Sequence, residues 1–283
     1  MDCRHRAGAS DRPSPQRRGN QRPLNTPKLT NLDSCPKPDQ GEYQVSTAPE
    51  HNSPVIRERE NAGENPTFFY TLWTIFKRSQ IVERSEAAAA EFDALIEQLA
   101  AEGAIVRGIY DVSAMREDAD VMIWVHGPAA ELLQASMRKI RRSALLEGTE
   151  IVYSTMAVHR EAEFAKDHSP AFARGVDAKE WMTVYPFVRS TEWYTMDPAE
   201  RGKMLRDHGI LGREFPNVLA NTVAAFSFSD FEWQICLEAD DMIDLVDMMR
   251  HLRYTEARHH VREETPFYTG RRISAAQVLE VLK

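Results

Sequence analysis

The stretch from Glu180 to Arg213, EWMTVYPFVRSTEWYTMDPAERGKMLRDHGILGR, carries the side chains of this chain best suited to redox chemistry. Tyr185 sits in the aromatic and β-branched run Val184-Tyr185-Pro186-Phe187-Val188-Arg189, which reads as a strand. His208 follows 23 residues later, at the far end of a helical stretch and just before Gly209. A phenol can give up an electron and a proton, and a neutral imidazole nitrogen binds iron. The pair therefore suits a haem peroxidase-like site. Strand alternation puts Tyr185, Phe187 and Arg189 on one face, and a guanidinium there is a bidentate partner for a carboxylate. Gly209 and Gly212 are expected to form a turn that lets a large planar ligand approach His208. Singly, each residue has a plainer explanation. A histidine near a helix C-terminus complements the dipole, and a strand tyrosine is commonly core.

Other candidates are weaker alone. His168 lies in a connector, Glu163 to Phe172, where a lone histidine is ordinarily solvated. Arg253, Arg258, Arg262, Arg271 and Arg272 cluster between Leu252 and Ile273. They form either a solvated basic loop or a site for a carboxylate-rich ligand. Trp193, Tyr194 and Trp233 read mostly as packing residues, though aromatics near a haem can carry radicals. No GxGxxG, GxxxxGK[ST], HExxH or GxSxG occurs, which leaves nucleotide, zinc-protease and hydrolase readings without support.

The elements that must position these residues follow a regular order. Thr67–Lys77 reads as a strand and Ser85–Glu102 as a strong helix ended by Gly103. Ala104–Tyr110 and Asp120–Val125 are strands, Ala129–Leu146 a helix, and Glu150–His159 a strand. That is a βαββαβ unit. The order then repeats, with strand Trp181–Arg189, helix Pro198–His208, and a hairpin of Leu219–Phe228 with Glu232–Leu237. Helix Asp241–Leu252, strand Thr265–Thr269 and helix Ser274–Leu282 complete it. The expectation is an α+β fold of tandem ferredoxin-like repeats of the dimeric α/β-barrel type. One unit spans 65–160 and the one that carries Tyr185 and His208 spans 161–283, with two sheets packed face to face. Residues 1–64 hold eight of the 15 prolines among Ser, Asn, Gln and Arg, and read as a disordered tail.

A net charge of −8 argues against nucleic acid as the main partner. No apolar run approaches a membrane span, and the basic N-terminus lacks the apolar core of a secretory leader. Cys3, Cys35 and Cys236 form no CxxC pair, so neither disulfides nor a zinc site is expected and the cytoplasm is the default location.

Four stretches, YPFVRSTEWY, MLRDHGILGREFP, ANTVAAFSFSDFEWQICLEAD and MRHLRYTEARHHVREETPFYTGRR, together resemble the chlorite dismutase-like superfamily, and within it the coproheme decarboxylases. The resemblance covers roughly residues 65 to 283. It implies that Tyr185 is the catalytic tyrosine, His208 the proximal iron ligand and His168 the distal histidine of the actinobacterial branch. Iron coproporphyrin III (coproheme) would be both substrate and redox cofactor, with hydrogen peroxide as co-substrate and haem b as product. His168 would act as general base toward peroxide, and a Tyr185 radical would remove a β-hydrogen from each of two propionates as CO2 leaves. By position, Arg189, Arg213, Arg253 and Arg258 would hold propionates. The resemblance also implies a homopentamer, with coproporphyrin ferrochelatase as a further partner. Chlorite dismutation uses a distal arginine, where this chain reads Val218-Leu219-Ala220-Asn221-Thr222, so chlorite is not the expected substrate. The alternative is a non-catalytic haem-binding or haem-transfer protein on the same fold.

Overall fold

A computed structural model describes residues 69–160 and 169–283. The expected tail and His168 both lie outside the described residues.

Among the described residues, nine strands and six helices are arranged as two βαββαβ runs. The first run is β1 (Tyr70–Arg78), α1 (Glu86–Ala101), β2 (Ile105–Asp111), β3 (Val121–Gly127), α2 (Ala130–Ile140) and β4 (Thr149–Val158). The second has β5 (Trp181–Arg189), the short α3 (Thr191–Thr195), α4 (Pro198–Gly212), β6 (Leu219–Ala224), β7 (Trp233–Ala239) and α5 (Met242–His251). It ends with β8 (Val261–Glu263), β9 (Tyr268–Ile273) and α6 (Ala275–Val281). Local signals explain the helix starts. Ser85 and Asp197 accept backbone N–H bonds as N-caps of α1 and α4, and Pro198 follows at the first turn of α4.

Each run forms an antiparallel sheet in the ferredoxin-like order, β4-β1-β3-β2 and β9-β5-β7-β6. The two sheets face one another as expected, and their edges also pair. β2 joins β9 from Ile109↔Ile273 to Asp111↔Arg271, and β4 joins β6 at Val158↔Ala224. The eight strands thus close into a barrel, which leaves neither edge of these sheets bare. At the β2–β9 seam a Cβ on Gly270 would stand 2.7 Å from the Asp111 carbonyl oxygen, so the strands can meet there only around glycine.

Three apolar layers follow from strand alternation. Leu72 and Phe76 of β1 face outward beneath α1, α2 and α6, while Trp73 and Ile75 face the barrel interior with Trp124, Met182, Val184 and Cys236. Tyr185 and Leu237 face outward in the second half, against Leu245 and Met248 of α5. The closing helix α6 packs beside α1, over the outer face of the first sheet.

The interior also holds a buried ionic knot. A bulge in β2 between Val106 and Gly108 places Arg107 as the extra residue. Its guanidinium donates to both Glu238 carboxylate oxygens, at 2.9 Å from Nη2 and 3.1 Å from Nε. Asn221 Nδ2 donates to the same carboxylate at 3.0 Å, and the Asn221 side-chain oxygen accepts the Phe172 N–H. Arg107 further donates to the Val176 carbonyl at 2.7 Å and lies over the Trp124 ring. One side chain of the first sheet is so tied to two strands of the second and to the connector before β5.

Two expectations shift. The last strand begins at Tyr268 rather than Thr265, because its partners are β2 and β5. That shift moves Arg271 and Arg272 out of the supposed basic loop and onto a strand. Helix α4 runs through Gly209 to Gly212, with the Arg213 N–H bonded to the Gly209 and Ile210 carbonyls. A helical glycine costs only about 1 kcal/mol, and the following Ile210 and Leu211 continue the helix. The glycine turn expected after His208 is therefore absent.

Arg107→Met should destabilise the chain by about 3–5 kcal/mol in chemical denaturation, because it leaves the Glu238 charge buried without its cation. The double variant Arg107→Met/Glu238→Leu should recover a substantial part of that loss.

Candidate active site

The outward face of β5 and the C-terminal half of α4 meet over one hollow of about 120 Å³. Tyr185, Phe187, Arg189 and His208 line it, as alternation along β5 requires. Ile235 and Leu237 of β7 supply an apolar wall, with Met248, Met249 and Leu252 opposite. Arg253, Arg258 and Glu264 complete the charged rim. A second hollow of about 540 Å³, lined by Met115, Met242, Leu245, Val246 and Phe267 among others, shares Met249 and Arg253 with the first.

Tyr185 is 4% exposed. Its ring stacks on Phe267 at 4.4 Å, and its hydroxyl donates to Met249 Sδ at 3.3 Å. Burial pushes its pKa well above the ordinary phenol value, and the Glu264 charge acts in the same direction. The phenol keeps its proton at neutral pH. It can give up a hydrogen atom but does not serve as a resting phenolate.

His208 is buried enough that desolvation lowers its pKa, with Arg189 adding to the effect. Its ring is neutral at neutral pH, the form that binds iron. Nδ1 lies 3.4 Å from Thr255 Oγ1, and that hydroxyl donates to the Leu252 carbonyl at 3.0 Å. With its proton directed to Leu252, the Thr255 oxygen can only accept from His208. The ring proton then sits on Nδ1 and the lone pair on Nε2, the arrangement an outer partner imposes on a ligating histidine.

Arg189 is held rigidly. Its guanidinium lies over the Trp193 ring at 4.0 Å and the Phe187 ring at 4.9 Å, and it donates to the Ala257 carbonyl at 3.1 Å. Burial lowers its pKa to about 10, so it remains a cation at neutral pH. Arg253 and Arg258 each donate to one oxygen of Glu264, at 2.8 and 2.7 Å. Arg213 is not among them. Because α4 extends to Gly212, Arg213 becomes its exposed C-cap, outside the lining of the hollow. Of the arginine cluster, Arg271 and Arg272 lie on β9, near Glu180 and the Ala178 carbonyl.

Sequence reasoning missed Thr255, Met249 and Glu264. Thr255 lies 47 residues from His208 and Met249 64 from Tyr185, and no local pattern links them. Glu264 stands beside Glu263 in a charged run, and only the path of β8 separates a lining carboxylate from an exposed one. Ala220 and Thr222 face the hollow, while Asn221 between them points into the barrel knot.

Among the described residues no cluster of three or more His, Cys, Asp or Glu could hold a bare metal ion. One neutral imidazole, apolar walls and three guanidiniums instead fit an iron already chelated by a macrocycle bearing carboxylates. A family model described as Chlorite dismutase matches residues 85–273. The chain belongs to the chlorite dismutase family. The coproheme decarboxylase of Mycolicibacterium smegmatis is 42% identical over 221 residues, covering 77% of this chain and 96% of that one. A mutant chlorite dismutase from Candidatus Nitrospira defluvii superposes with a TM-score of 0.66 at 17% identity, covering 76% of this chain and 95% of that one. The same organism's chlorite dismutase in complex with imidazole matches equally, at 0.66 and 16% over the same shares. At such identities the superpositions speak to the fold, which is that of the chlorite dismutase family.

Thr255→Val keeps the shape and removes the acceptor for Nδ1. It should weaken spectrally titrated iron-porphyrin binding by about 10-fold or more, while leaving the affinity for the metal-free porphyrin unchanged.

Proposed function

We propose that this chain is a coproheme decarboxylase, a hydrogen peroxide-dependent enzyme that converts iron coproporphyrin III to haem b. The observation that carries the reading is the meeting of Tyr185, His208 and three arginines in one hollow. A buried, protonated phenol beside a neutral imidazole is what oxidative chemistry requires and what simple carriage of haem does not. The 42% identity to the Mycolicibacterium smegmatis decarboxylase supports the same substrate. So does the absence of arginine from the 218–222 stretch, where Ala220 and Thr222 face the hollow.

The porphyrin iron, with peroxide, supplies the oxidising power. The protein's residues do the rest. His208 holds the iron through Nε2, with Thr255 fixing the ring. Arg189, Arg253 and Arg258 receive propionate carboxylates, for which guanidinium geometry is suited. His168, outside the described residues, takes the peroxide proton as general base. Tyr185 gives up its hydroxyl hydrogen atom, and the resulting phenoxyl takes one from the β-carbon of a propionate. Loss of CO2 and one further electron leaves a vinyl group. Each cycle consumes one peroxide and one proton and releases CO2 and two waters, and a second cycle treats the second propionate.

The inner hollow alone is smaller than a macrocycle. Met249, an unbranched and adaptable side chain, forms part of the wall shared with the larger hollow. The reading brings with it a homopentamer, a coproporphyrin ferrochelatase as supplier of substrate, and a cytoplasmic location. No helix of the described residues is long and apolar enough to cross a membrane.

With iron coproporphyrin III and peroxide, mass spectrometry should show two successive losses of about 46 mass units, CO2 and two hydrogens each. Tyr185→Phe should bind the substrate normally and lose at least about a hundredfold in rate. Tight binding without any mass loss would favour a carrier instead.

A further inference from the structure

Among the described residues, Glu264 is the one carboxylate lining the inner hollow. Its side chain is 14% exposed, and each of its two oxygens accepts from a different guanidinium of the same rim. Among the described residues, Arg253 and Arg258 bond to no other side chain, and Arg189 is committed to Ala257 and two rings. An arriving carboxylate therefore meets two cations already matched by a carboxylate of the protein. A purely structural role accounts poorly for this. The two arginines are each more than one-third exposed, where an ion pair contributes at most about 1 kcal/mol, yet the acid between them is kept largely from water. Its field also reaches Tyr185, whose pKa it helps to raise. The carboxylate and the phenol that would attack a propionate line the same hollow.

We infer that Glu264 is an internal stand-in for the reactive propionate, which a substrate carboxylate displaces from Arg253 and Arg258 and which returns once that carboxylate has left as CO2. The inference rests on the proposed function. It makes Glu264 a specificity-determining residue. A ring with a propionate at this place can exchange with Glu264, whereas a ring with a vinyl group there leaves Glu264 on its arginines and is held less firmly. Exchange of one carboxylate for another leaves Arg253 and Arg258 with a carboxylate partner in both states. Decarboxylation then weakens the enzyme's hold on what it has made.

The test uses the full chain and metal-free porphyrins, so the axial bond plays no part. Fluorescence titration compares coproporphyrin III, with four carboxylates, against protoporphyrin IX, with two. Glu264→Gln should bind coproporphyrin III about 10-fold more tightly than wild type, one competing charge having been removed. Its affinity for protoporphyrin IX should change by less than about twofold, and the gain should shrink at high salt. Glu264→Asp, which keeps the charge, should retain the wild-type preference. Unchanged or weaker coproporphyrin III binding by Glu264→Gln, beside normal wild-type binding, overturns the exchange alone, as does loss of both porphyrins, which would make Glu264 a prop for the arginines. A wild-type chain that binds neither porphyrin overturns the site reading and the exchange with it.

Discussion

The buried pair of Arg107 and Glu238 is the constraint on which the rest of this structure hangs. Two half-barrels, each amphipathic and each with open edges, must be held in one register if their outer faces are to present a defined site. A salt bridge of 6% and 0% exposed side chains contributes little net stability, since desolvation offsets much of the attraction. Its effect is on specificity. Glu238 has one acceptable location, inside the barrel, where Arg107, Asn221 and the Lys179 N–H converge on it. Any slip of β7 would bury that charge without partners.

The period of two in a strand carries this constraint outward. If Glu238 and Cys236 face in, then Leu237 and Ile235 must face out, and they form the apolar wall of the hollow. Asn221 facing in likewise turns Ala220 and Thr222 out. On β5, Met182 and Val184 fill the interior, so Tyr185 lies on the outer face beneath α5. Pro186, which has no N–H to offer, falls between the stretch of β5 that pairs with β9 and the stretch that pairs with β8. The Tyr185 phenol is thereby placed by packing on the side of the sheet it does not face.

Much of this was legible in the sequence because it is local. The two βαββαβ runs follow from alternation, helical spacing and caps such as Ser85 and Asp197. The common face of Tyr185, Phe187 and Arg189 follows from strand geometry alone. What was not legible depends on distant partners. The end of α4 was placed too early because Gly209 and Gly212 read as a turn, yet the i to i−4 bonds persist through both. Arg213, a propionate candidate by position in the resemblance, is the exposed C-cap of that longer helix. Thr255, Met249 and Glu264 belong to the site through contacts across tens of residues, and no periodic pattern announces them. The barrel type was expected, but the bulge at Arg107 and the need for glycine at the β2–β9 seam show only once the strands are paired.

The central claim is that one hollow brings a metal-binding imidazole, an oxidisable phenol and a set of guanidiniums to bear on a single carboxylated macrocycle. A crystal structure of the Tyr185→Phe variant with iron coproporphyrin III tests it most directly. The account predicts iron on His208 Nε2, a propionate carboxylate between Arg253 and Arg258, and its β-carbon near the ring at position 185. Iron held by another residue, or carboxylates directed away from position 185, would contradict it.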